Sequence, residues 1–217
     1  MLDLKVKKLG DLTRPIIAMA QDVHDAETAM DAHPTSYSRR SYVRALHAYM
    51  EGSVYLLKQT ALSAAIRSRI PLTPGEYALM TEEMFDLTGA GEVRSQPKFL
   101  RLADNLRFTV GCVNRIFGAN VTIDTSSRGW DDFRKSTKIR DRITHPKGLT
   151  EFEVTDAEIS ICRRMSDEWL NEMFASLVTA VSQRISQPVS ADAGSPSDDS
   201  TSNDASENES GENSGSS

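Results

Sequence analysis

Little in this chain advertises a chemistry. Its 217 residues hold only two cysteines, Cys112 and Cys162. Each sits inside an apolar helical pattern, which suits reduced packing residues better than a disulfide framework. Four histidines with no further cysteine beside them speak against a metal site. There is no Gly-rich phosphate loop, no Gly-x-Ser-x-Gly elbow and no His-Glu-x-x-His pair, so common nucleotide-binding, esterase and zinc-protease signatures are missing. No stretch approaches the roughly 20 apolar residues of a spanning helix or the about 7 to 15 of a secretory leader. We expect a soluble, cytoplasmic protein with no membrane contact, metal or cofactor.

Basic charge is absent from one end. From Ile185 the last 33 residues carry seven acidic side chains (Asp192, Asp198, Asp199, Asp204, Glu207, Glu209 and Glu212) and no basic one. Ser, Asp, Asn, Gly and Glu dominate there, and a segment with so little to bury cannot offset the entropy of ordering itself. A disordered tail over 186–217 is expected, in its simplest role a solubilising appendage. It also distorts the overall balance: the net charge of −6 becomes 25 basic against 24 acidic residues over 1–184, a net of +1. The acidic total therefore does not exclude a polyanionic partner for the folded part.

That part reads as helices. Met19, Val23, Ala26 and Met30 form a helical stripe, and His33-Pro34 closes it because the residue before proline disfavours the α region. Residues 1–34 thus supply an N-terminal helix packed on a bundle over 35–185. Thr35 or Ser36 caps a long second helix with Val43, Leu46, Met50, Val54, Leu57 and Ala61 inward, running to about Arg69. Thr73-Pro74 with Glu76 has capping-box spacing and opens a third helix, expected to end at Gly89. A polar loop over 91–96 leads to a fourth with Phe99, Ala103, Leu106, Val110, Val113 and Phe117 on one face, stopped by Gly118. Val121-Thr122-Ile123 is a short extended piece without a partner. Residues 130–144 form a fifth helix. Thr155 with Glu158 caps a sixth that carries Ile159, Cys162, Trp169, Met173, Leu177 and Ala180. With no alternating strand pattern, the fold class is all-α: an antiparallel helical bundle whose second and sixth helices form its spine.

Positive charge gathers in one place. Residues 128–147 hold seven basic side chains (Arg128, Arg134, Lys135, Lys138, Arg140, Arg142 and Lys147) against three acidic ones, a local +4. A mixed run of this kind is ordinarily a solvated helix face. Its end, Lys138-Ile-Arg-Asp-Arg-Ile-Thr-His-Pro-Lys147, adds a pattern: Arg140, the polar Asp141, then His145 after four intervening residues. A second Arg-His pair of similar spacing, Arg40 and His47, lies inside an uninterrupted helix and reads as structural. His145 differs because Pro146 ends its helix at about Thr144 and releases the imidazole toward a helix mouth. Arg140 shares a face with Phe133 and Thr137, which puts its stem at the core edge.

With this pattern before a last long helix, the chain resembles the HEPN superfamily (higher eukaryotes and prokaryotes nucleotide-binding) over roughly 36–185. The resemblance implies a HEPN-like bundle and metal-independent endoribonuclease activity, as in a toxin or defence effector. A ribose 2′-hydroxyl attacks the adjacent phosphate and leaves a 2′,3′-cyclic phosphate. Such a site needs proton transfers, which imidazole suits, and a permanent cation on the phosphate, which guanidinium suits. His145 and Arg140 take those roles, Asp141 orients one of them, and Arg134, Lys135, Lys138, Arg142 and Lys147 hold RNA. One histidine cannot be acid and base in a single turnover, so a homodimer with both Arg-His sets at one cleft is implied. An antitoxin protein is a further implied partner, although Lys147 stands where the subgroup paired with nucleotidyltransferase antitoxins has Tyr, and Asp141 where many active members have Asn. The alternative is a non-catalytic helical interaction or RNA-binding module.

Overall fold

Three threonines begin three of the helices. In the computed structural model, which describes residues 9–186, the Thr35, Thr73 and Thr155 hydroxyls each accept from the backbone N–H three residues on. Each of those residues (Ser38, Glu76 and Glu158) bonds back to the cap backbone. The helices are α1 (Leu9–Ala32), α2 (Ser36–Arg67), α3 (Pro74–Thr81), α4 (Leu102–Phe117), α5 (Arg128–Thr144), α6 (Asp156–Met165) and α7 (Asn171–Ser186). The expected acidic tail lies outside the described residues.

At 32 residues, α2 is the spine, and α1, α4, α5 and α6 all pack on it. Its stripe of Val43, Leu46, Met50, Val54, Leu57 and Ala61 is buried throughout. Burial on this scale stabilises by roughly 1.5–3 kcal/mol for each large apolar side chain. At Gly52 a Cβ would come within 2.4 Å of Met19 Sδ, so the end of the Met19 side chain of α1 lies over the space that a side chain there would fill. α5 and α6 run antiparallel, since Asp132 meets Arg164, and Arg142 meets Glu158.

Two elements differ from expectation. α3 stops at Thr81 because Glu82 turns left-handed at φ 56°, and an antiparallel hairpin follows where a longer helix and a polar loop were expected. Its strands are β1 (Glu83–Leu87) and β2 (Val93–Pro97), closed by a turn with Gly91 at φ 80°. A period-two pattern marks a strand only when one face is buried, and here both strands are largely exposed. Phe99 consequently lies before α4 and is 95% exposed instead of facing the core. The sixth helix is also interrupted: Ser166–Leu170 forms a π turn between α6 and α7. The inward residues step by five from Met165 to Leu170, then continue through Met173, Leu177 and Val181. Trp169 and Ala180 are therefore only half-buried.

Candidate functional site

The C-terminal end of α5 lies against the N-terminal half of α2, and the basic residues divide there into two groups. The first group binds backbone. Arg44 Nη2 donates to the Ile143 carbonyl at 3.2 Å, placing a cation on the carbonyl end of α5. Arg142 donates to the Glu151 and Glu153 carbonyls at 3.2 and 2.7 Å and to the Glu158 carboxylate at 2.7 Å. Arg39 reaches the Val154 carbonyl at 3.0 Å, and Arg40 the Phe152 carbonyl at 3.2 Å while lying over the Phe152 ring. Together these guanidinium groups tie down the connection between α5 and α6.

The second group faces solvent. Arg134, Lys138 and Lys147 are exposed along and just after α5. Lys135 is exposed too and pairs with Asp131 at 2.6 Å, a contact of little energetic weight at such a surface. Arg142, grouped with these four in the sequence pattern, is turned inward by its carbonyl contacts.

Arg140 lies between the two groups. One of its terminal nitrogens donates to Glu51 of α2, and the other lies 3.2 Å from the Asp141 carboxylate as an ion pair. Its side chain is 24% exposed, while Nε is buried without a hydrogen-bond partner. Beside it stands His47, 2% exposed, with Nε2 2.9 Å from Ser136 Oγ and Nδ1 unpartnered. Burial, reinforced by the neighbouring Arg140 charge, pulls the His47 pKa down to about 3. His47 is thus a neutral core imidazole.

α5 ends at Thr144, and His145 occupies its C-cap with an exposed side chain. Its backbone N–H bonds back to the Asp141 carbonyl at 3.0 Å. The structure places Arg140 and Asp141 together, and His145 one turn further on, with no hydrogen bond of its imidazole to either among the described residues. Cavities of about 380 and 360 Å³ lie elsewhere, lined by residues such as Trp169, Met173 and Arg184. Trp130 is core, 5.2 Å from the Phe133 ring.

Sequence reasoning missed Arg44 and Glu51. Together with Arg40 and His47 they recur at 4, 3 and 4 residues along α2, a polar stripe beside the apolar one and the one available signal. Among the described residues no group of three His, Cys, Asp or Glu side chains is placed to hold a metal ion. No described helix is long and apolar enough to cross a membrane. Cys112 and Cys162 are free buried thiols, pushed up by burial to about 11 and about 12. The chain matches no protein-family model, no curated protein and no solved structure.

Proposed function

We propose that the protein is a metal-independent endoribonuclease of the HEPN type, acting as a cytoplasmic toxin or defence effector. Arg140 neutralises the scissile phosphate and His145 transfers the proton. The observation that supports this reading is the end of α5. The helix stops one residue before His145, leaving an exposed imidazole a turn beyond a guanidinium already holding two carboxylates. Carboxylates occupy on Arg140 the place a phosphate would take, since both present paired oxygens to the same fork. Arg134, Lys138 and Lys147 supply exposed charge for the flanking backbone. A homodimer supplies the second imidazole and the opposite wall of the cleft.

The test is incubation of the purified protein with RNA in EDTA. The expected products end in 2′,3′-cyclic phosphate, and His145→Ala and Arg140→Ala each lower the rate by about 10²–10⁴-fold. Intact RNA at micromolar protein overturns the reading. The second reading, a non-catalytic RNA-binding or interaction module that an antitoxin or other protein engages, is favoured by Arg140 being held by Glu51 and Asp141. It predicts RNA retention without cleavage.

A further inference from the structure

Four buried side-chain polar atoms among the described residues make no hydrogen bond, and two of them lie where α2 packs on α5. They are Nδ1 of His47 and Nε of Arg140. His47 and Glu51 stand one turn apart on α2, as Ser136 and Arg140 do on α5. The His47–Ser136 and Glu51–Arg140 contacts are therefore successive rungs between the two helices. A buried polar atom without a partner has lost its water and gained nothing in return, so two of them on adjoining rungs call for a physical reason.

The two atoms are complementary. Nε of a guanidinium always carries a hydrogen and never accepts one. His47 is neutral, so only one of its ring nitrogens carries a hydrogen. On Nδ1 that hydrogen would add a donor near the permanent charge of Arg140. On Nε2 it is given to Ser136 Oγ, 2.9 Å away, and Nδ1 presents a lone pair instead. The Arg140 charge, which acts on this imidazole, thus selects the Nε2–H form. A bare acceptor and a bare donor result, unbonded while the two ends of the Arg140 fork are drawn to Glu51 and Asp141.

We propose that His47 is a positioning residue for Arg140, its bare Nδ1 accepting the Nε–H once a phosphate replaces Glu51 and Asp141 on the two terminal nitrogens. The guanidinium then has two settings. In one it is held by carboxylates, and in the other it is anchored on His47 from behind with its fork on the phosphate. His47 is 2% exposed, so it touches no substrate and moves no proton in the reaction, which stays with His145. Phosphate as the occupant of the fork rests on the ribonuclease reading. The tautomer and the acceptor for Nε–H belong to the chain itself and need no RNA.

Nitrogen-15 spectra of the full chain provide the test. In the wild type the His47 proton should sit on Nε2. Glu51→Gln removes the charge that pulls on the fork, so the Arg140 Nε–H should settle on Nδ1 and exchange with water at least about tenfold more slowly. Adding His47→Gln, whose amide reaches the Nε2 position and keeps Ser136 but offers nothing at Nδ1, should abolish that slowing. Adding His47→Asn, whose amide oxygen reaches the Nδ1 position, should keep it, with the helical circular dichroism the same in all variants. In RNA cleavage, kcat should fall at least about tenfold in His47→Gln and stay within about threefold in His47→Asn, with KM unchanged in both. A wild type that leaves RNA intact ends the ribonuclease reading and leaves the His47–Arg140 contact to the spectra. A wild-type His47 proton on Nδ1, which is read without any variant, overturns the proposal. So do equal exchange rates in the Gln and Asn variants.

Discussion

The two halves of α2 handle positive charge in opposite ways. Toward its N-terminus Arg39, Arg40 and Arg44, joined by Arg142 of α5, reach across to backbone carbonyls of neighbouring segments. Each contact is partly wet and several act on the same connection. Toward its C-terminus one ammonium, Lys58, is buried at 0% exposure between Glu82 and Asn105 and anchors the root of the hairpin through Glu82. Shared surface contacts make the first region tolerant of loss, whereas a lone buried cation makes the second brittle.

That contrast predicts unequal costs. Lys58→Ala should destabilise the bundle by about 2–4 kcal/mol in chemical denaturation, because it opens a cavity and leaves Glu82 without its partner. Arg40→Ala should cost less than about 1 kcal/mol. Equal costs would break the comparison. Next in size is a pH effect at the boundary between the halves. The His47 pKa is lowered in the fold to about 3, so the unfolded chain binds the extra proton as pH falls below about 6.5. Stability from this group is complete above that pH and declines down to about pH 3, by up to about 1.4 kcal/mol per pH unit. His47→Gln should flatten the slope of melting free energy between pH 4 and 6; an unchanged slope assigns the acid sensitivity to other groups.

Smaller effects separate clamp from surface in the basic region. Thr155→Ala, which removes the α6 cap, should cost about 1 kcal/mol and raise hydrogen exchange in the first turn of α6. Lys138→Ala should leave stability within about 0.5 kcal/mol, weaken RNA binding a few-fold and lower the salt slope by about 0.7. Glu51→Gln should move RNA affinity the other way by freeing Arg140. If Lys138→Ala alters stability more than RNA binding, the solvent-facing group has been misassigned.

The helices were legible in the sequence where local chemistry decides them. Thr35, Thr73 and Thr155 carry their capping partners three residues on, and the α2 stripe keeps its period because every member meets another helix. The hairpin was not legible, because Phe85, Leu87 and Val93 meet no core that would force alternation on their neighbours. The end of α5 followed from Pro146, and with it the exposure of His145. The partners of Arg140 could not be read: Glu51 lies 89 residues away, and only the packing of α2 on α5 joins them.

The π turn has a consequence for chain length. In an α-helix every residue added or removed rotates all that follows by about 100°, so a single deletion ordinarily scrambles the buried face downstream. At Ser166–Leu170 the helix already accommodates one surplus residue. Deleting exposed Asp167 or Glu168 would convert the turn to plain α geometry and leave Leu177 and Val181 facing the core. The last helix thus contains one place where the polypeptide can be shortened without losing phase.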